Sequence, residues 1–150
     1  MKKTTKRFLL GAAVAASLTT LGAAYRSSAH SLTKFAIDRE EPKSVTKNKQ
    51  RMIDSSELSQ IMENLESASQ NLRALDCEQV EIQSADGIKL VGHWYFKGNP
   101  RRVIIAMHGW RSSWSHDFGL IADFWHNNGC AVLYAEQRGQ GNSGGDYMSF

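Results

Sequence analysis

The hydrophobic pattern changes period several times along the chain. Phe8 to Tyr25 runs for 18 residues without a charge, behind a positive start of Lys2, Lys3, Lys6 and Arg7. That order reads as a targeting segment, not as core. Residues 26–53 are polar and basic, contain Pro42 and keep no apolar period, so they read as a stalk or linker where function is not expected. From Asp54 a helical period takes over, with Leu58, Ile61, Met62, Leu65, Leu72 and Leu75 on one stripe. Asp54 is a candidate cap and Glu57 follows three residues later, which predicts an amphipathic helix over 54–76 packed on the domain or on a partner helix.

From Val80 the period becomes two. Val80 and Ile82 precede Asp86-Gly87, and Ile88, Leu90, Trp94 and Phe96 then alternate with Lys89, His93 and Tyr95, the pattern of a hairpin around an Asp-Gly turn. Beyond Gly98-Asn99-Pro100, Val103 to Met107 is a continuous apolar run of the kind found in strands buried on both faces. Phe118, Ile121, Ala122 and Trp125 mark a helix face that stops at Asn127-Asn128-Gly129, and Ala131 to Ala135 is a second buried run. Strand, helix, strand at this spacing predicts a right-handed βαβ unit with parallel strands. The expected fold class is therefore α/β: a β-hairpin followed by a parallel βαβ unit over 78–150, preceded by a hydrophobic helix within 1–25, a basic linker over 26–53 and the amphipathic helix.

Charge sharpens this division. Residues 1–51 hold 11 Lys/Arg against 3 Asp/Glu (+8), and residues 52–150 hold 7 against 12 (−5). The folded part is acidic and has no clustered basic face, which argues against nucleic acid as a partner. The basic start predicts membrane association through residues 8–25 and a location of everything after Tyr25 outside the cytoplasm. Both a retained anchor in the cell membrane and a secreted product cleaved near Gly22-Ala23-Ala24 or Ser27-Ser28-Ala29 fit the pattern. Cys77 and Cys130 are open to a disulfide or to two ordinary thiols, and neither has metal-ligand spacing. No cofactor or metal is expected.

Two loops carry candidate chemistry, each just beyond the carboxyl end of a predicted parallel strand, where open α/β sheets place ligands. In His108-Gly109-Trp110 the glycine allows a sharp turn, and the Trp110 N–H becomes a candidate donor to an oxyanion. The second loop runs from Glu136 through Arg138, Gly139 and Gly141 to Ser143 and Gly145, and contains a literal G-x-S-x-G at 141–145. A nucleophile elbow needs a strand leading directly into the first glycine and a helix opening after the serine. Here a polar stretch intervenes and Gly144-Gly145 is a poor helix start, so Ser143 is assigned to the scaffold. Gly-Asn-Ser-Gly-Gly also resembles the nucleophile loop of chymotrypsin-like proteases, but the βαβ unit is incompatible with that all-β fold. Arg138 and Ser143 are expected to pin the loop, and Arg111, Ser112, Ser113 and Trp114 to lie on its solvent side or line an acyl pocket.

Together, the Asp86-Gly87 hairpin, the strand into His108-Gly109-Trp110, the helix to Gly129 and the strand into the R-G-x-G-x-S loop at 138–143 resemble the opening third of the α/β-hydrolase fold. The N-terminal segment and the tail after Gly144 are similar to a branch of bacterial cell-envelope hydrolases described as serine aminopeptidase-like. The resemblance covers residues 78–150. It implies hydrolysis of an ester, amide or thioester of a small-molecule or peptide acyl substrate by a Ser-His-Asp mechanism. It also implies that Trp110 supplies one oxyanion N–H while His108 and Gly109 shape the loop. His108 does not match the family's catalytic histidine, and Glu136 stands where the family often has Asp. The nucleophile, acid and histidine of the family all match positions beyond Phe150, within a domain of about 250 residues. A catalytically inactive, tethered binding module is the alternative of a different class.

Overall fold

The computed structural model of the chain describes residues 3–53 and 56–149. Lys2 and the candidate cap Asp54 lie outside the described residues. The chain divides into two compact units, Met1–Ile37 and Asp38–Phe150. The first consists of helix α1 (Lys3–Ile37). Among the described residues no helix is long and apolar enough to cross a membrane.

The second unit begins where a linker was expected. Polarity without an apolar period does not prevent helix formation, and residues 26–53 are helical except around 38–42, with α1 continuing to Ile37 and α2 spanning Lys43–Ile53. Helix α3 (Ser56–Arg73) follows, then strands β1 (Glu78–Gln83), β2 (Lys89–Tyr95) and β3 (Arg102–Met107), helix α4 (Trp114–Asn127) and β4 (Cys130–Glu136). The strands form one sheet in the order β1-β2-β4-β3. The β1/β2 hairpin closes through Ser84–Ile88, with Gly87 at φ 83° in the turn. Strand β4 pairs antiparallel with β2 and parallel with β3, and the β3–α4–β4 connection is the expected crossover.

Burial of the alternate residues follows from that order. On the helix-facing side Leu72, Ala106, Trp114, Ala122, Cys130, Val132 and Tyr134 form the core. Helices α3 and α4 approach so closely that a Cβ on Gly119 would lie 2.7 Å from the Ala68 carbonyl, which is why that crossing carries a glycine. The Tyr134 hydroxyl lies 2.9 Å from His126 Nε2. Burial lowers the His126 pKa against the opposing charge of Asp123, and burial raises that of Tyr134, so both groups are held neutral in this contact.

Strand β3 departs from its sequence reading. Among the described residues it has one strand neighbour, β4, and Val103, Ile105 and Met107 are 65%, 66% and 58% exposed. Only alternate residues, Ile104 and Ala106, meet the helices. On the opposite face Val80, Ile82, Leu90, Met107 and Leu133 line a cavity of about 390 Å³. Cys77 and Cys130 are both free thiols, half-buried and buried. Burial, and then the charge of Asp76, push the Cys77 thiol up, away from the reactive thiolate.

Candidate active site: two loops at the carboxyl ends of parallel strands

Strands β3 and β4 run parallel with Met107 opposite Ala135, so the segments that follow them emerge side by side. After β3 the chain turns at once: the Ser112 N–H donates to the Gly109 carbonyl at 3.2 Å, and Arg111 takes a φ of 52°. Arg111 is the single non-glycine residue with positive φ among the described residues. Asp117, in the first turn of α4, fixes this turn from below. It accepts the Gly109 N–H at 2.6 Å and the Ser112 hydroxyl. Desolvation opposes its ionised form, but these two donors and His116 outweigh it and hold the carboxyl below its usual range. Because the Gly109 N–H is committed to Asp117, that group is not the one offered to a ligand. Ser113 caps α4 by accepting the His116 N–H.

His108 is buried, and its Nδ1–H donates to the Gly109 carbonyl at 3.0 Å. Its own carbonyl accepts from the Gln137 side chain, a direct link between the two loops. Trp110 is 48% exposed, with the Arg111 guanidinium 5.0 Å above its ring. The structure therefore brings His108, Gly109 and Trp110 together with the second loop.

In that loop each residue named from sequence has a definite attachment. Arg138 forms a two-pronged ion pair with Asp86, at 2.6 and 2.9 Å, which ties the loop to the hairpin turn. The guanidinium of Arg138, and next the Ser84 hydroxyl, hold the Asp86 carboxyl far below the usual carboxylate range. Gly139 has φ 69°, and a Cβ there would lie 2.5 Å from the Tyr147 carbonyl. Gly141, at φ 54°, packs directly on the Glu136 carboxylate. Ser143 is fully buried: its hydroxyl donates to the Glu136 carbonyl at 2.6 Å and accepts the Val91 N–H at 2.9 Å. A hydroxyl whose proton is held by a backbone carbonyl inside the protein has no path to an acyl substrate.

Two residues that were not among the expected site residues organise the site. Glu136 is buried, accepts His93 Nε2–H at 2.7 Å, and receives both the backbone and side-chain N–H groups of Asn142. His93 stacks on Trp114 with ring centroids 4.2 Å apart. The longer glutamate thus reaches across the loop and keeps its hydrogen bonding local. A cavity of about 420 Å³ beneath the two loops is lined by His93, His108, Trp114, Ser115, Glu136 and Asn142 among others. The second residue is Arg39. Its guanidinium donates to the carbonyls of Gly141 (2.6 Å), Ser143 (2.9 Å) and Gly145 (3.3 Å), and its N–H to Asp146. A residue placed in an inert linker therefore straps the glycine loop. The only hint in the sequence was a basic residue flanked by acidic ones, which is no signal for a partner about a hundred residues away.

The chain matches no protein-family model and no curated protein. Among solved structures it is similar to the Pyrococcus furiosus esterase Pf2001, at 32% identity over 51% of this chain and 30% of the esterase, with a TM-score of 0.44. It is also similar to the α/β-hydrolase GrgF from Penicillium sp. sh18, at 25% identity over 48% of this chain and 25% of that one, with a TM-score of 0.41. The chain thus spans less than a third of the length of either. A hairpin at one side, a parallel βαβ unit at the other, and a mixed sheet in the order β1-β2-β4-β3 complete the observation.

The fold is a mixed four-stranded α/β sheet.

In open α/β sheets, the segments that follow parallel strands such as β3 and β4 lie at the ligand-bearing end of the sheet. The two loops here are held by carboxylates from below, Asp117 and Glu136, and by arginines from outside, Arg39 and Arg138. Such attachment from several elements is how a fold preorganises backbone donors.

Proposed function

We propose that this chain forms the oxyanion side of a serine hydrolase acting on ester, amide or thioester bonds, with the Trp110 N–H as one oxyanion donor. The observation that supports the reading is the turn at 109–112, set at the carboxyl end of β3 beside the β4 loop and braced by Asp117 and Gln137. Acyl transfer builds negative charge on the former carbonyl oxygen, and a donor fixed in advance stabilises that charge without reorganising during the reaction. In this mechanism the attacking serine, its histidine base and the acid follow β4 in the order Ser, Asp, His, and none is Ser143. The second oxyanion donor is the N–H after that serine.

The test uses the chain together with the coding sequence that follows codon 150, assayed on short-chain p-nitrophenyl esters. Trp110→Ala keeps the backbone N–H and retains activity. Trp110→Pro removes it and lowers kcat by on the order of 10²–10³ with little change in KM. Equal loss in both variants, or labelling of Ser143 by a fluorophosphonate, would sink the assignment.

A further inference from the structure

The loop that follows β4 offers three backbone carbonyls to one group. Those of Gly141, Ser143 and Gly145 all accept from the Arg39 guanidinium, at 2.6, 2.9 and 3.3 Å. We propose that this glycine loop is a binding site for a guanidinium group, filled in cis by Arg39, and that its occupancy sets the order of the loop. Residues 38–42 are then a latch that can be released without unfolding the sheet. The inference does not rest on the hydrolase reading above.

Three observations carry the proposal. The acceptors fit a planar fork: one Nη serves Gly141 and the other serves Ser143 and Gly145, a spread suited to two rigidly held nitrogens and not to the single nitrogen of an ammonium. Positive φ at Gly141 (54°) and Gly145 (105°) lets the backbone fold so that alternate carbonyls share one occupant. The cradle is also built of neutral acceptors. Among the described residues no carboxylate pairs with Arg39, so the fit depends on the placement of the carbonyls and not on a countercharge. Finally, the latch is attached by polar contacts. The Arg39 N–H donates to the Asp146 carbonyl at 3.0 Å, and Asp38 bridges to Tyr147. Asp38 and Pro42 are half-buried and the residues between them exposed, so release uncovers no buried side chain. Each hydrogen bond lost is replaced by one to water, which keeps its net contribution modest.

The inner side of the loop is anchored separately. The Ser143 hydroxyl joins the Glu136 carbonyl to the Val91 N–H, and the Gly144 N–H donates to the Lys89 carbonyl at 2.8 Å. Release of Arg39 therefore leaves the loop attached to β2 and β4 and loosens its outer turn. There the Gly139 N–H donates to the Gly144 carbonyl and the Ser143 N–H to the Gln140 carbonyl, and these two amides report the state of the latch. Asn142 stands between two of the gripped carbonyls and donates from its backbone and side chain to Glu136, so the latch also bears on the cavity beneath the two loops.

Amide hydrogen exchange on the full chain, resolved by residue, tests the proposal. Arg39→Ala is expected to speed exchange at Gly139 and Ser143 by on the order of tenfold, with Val132 and Ala135 of β4 unchanged. Methylguanidinium restores slow exchange in this variant, with half its effect on the order of 10 mM. It leaves the wild type unaffected, because the tethered side chain holds the site at a higher effective concentration. Methylammonium at the same concentration restores nothing, and Arg39→Lys behaves as Arg39→Ala. Unchanged exchange in Arg39→Ala would overturn the proposal. So would equal acceleration at Val132 and Ala135, which would make Arg39 part of the global fold, failure of methylguanidinium to restore protection, or equal recovery with methylammonium.

Discussion

The hydroxyl of Ser143 offers the sharpest quantitative test of the site. In Ser143→Ala the Val91 N–H loses its acceptor and the Glu136 carbonyl loses its donor, both within the protein interior. Each buried group left unsatisfied costs about 1–3 kcal/mol, or about 2–6 kcal/mol if the two were independent. They belong to one network and share a relaxation, so an expected loss of about 2–4 kcal/mol is the better figure. That is a large share of the total for a domain of this size, whose stability is of order 5–15 kcal/mol. Urea unfolding followed by tryptophan fluorescence reads the effect as a lower midpoint with an unchanged slope. The buried neighbour Trp114 stacks on His93, which is bonded to the same Glu136, so the emission reports the region in question. A midpoint within error of the wild type would refute the scaffold role, and retention of a nucleophilic serine would then have to be reconsidered. Ser149, exposed on the following segment, is the control, and Ser149→Ala leaves the midpoint unchanged.

Two other outcomes follow from the structure. The Asp86 carboxyl is held below its ordinary 3.8, first by Arg138 and then by Ser84, so the pair contributes stability above that pH and loses it as pH falls toward the folded-state value. Asp86 is exposed and Arg138 half-buried, so the effect is small; the urea midpoint of Asp86→Asn lies below that of the wild type at pH 7, and the gap narrows below pH 4, whereas a gap independent of pH would contradict the ion-pair account. Exposed Val103, Ile105 and Met107 on a strand with one neighbour among the described residues predict self-association of the chain, which Ile105→Lys suppresses in sedimentation velocity; an unchanged distribution of species would place the contact elsewhere.

Much of the architecture was legible because it is written in local periods. The alternation around Asp86-Gly87, the apolar runs at 103–107 and 131–135, and the helix between them specify a hairpin and a parallel βαβ unit through interactions a few residues long. The positions of His108, Gly109 and Trp110 beyond one strand, and of Arg138 to Ser143 beyond the other, follow from the same periods. The helices within 26–53 were not legible, because helix propensity needs no apolar stripe and the reading relied on one.

What the sequence determined by itself is therefore the succession of elements and the two loops that close them, since both rest on backbone geometry and neighbours in the chain. Only the tertiary structure decided what holds those loops. Arg39 reaches carbonyls more than 100 residues away, Val91 meets the hydroxyl of Ser143 at a separation of 52, and His93 meets Glu136 at 43. None of these pairs has a local pattern, because a hydrogen bond across the fold depends on where the sheet order β1-β2-β4-β3 and the loop path bring two groups. The same order decided that, among the described residues, β3 has one strand neighbour and an open face, although its residues read like those of a central strand.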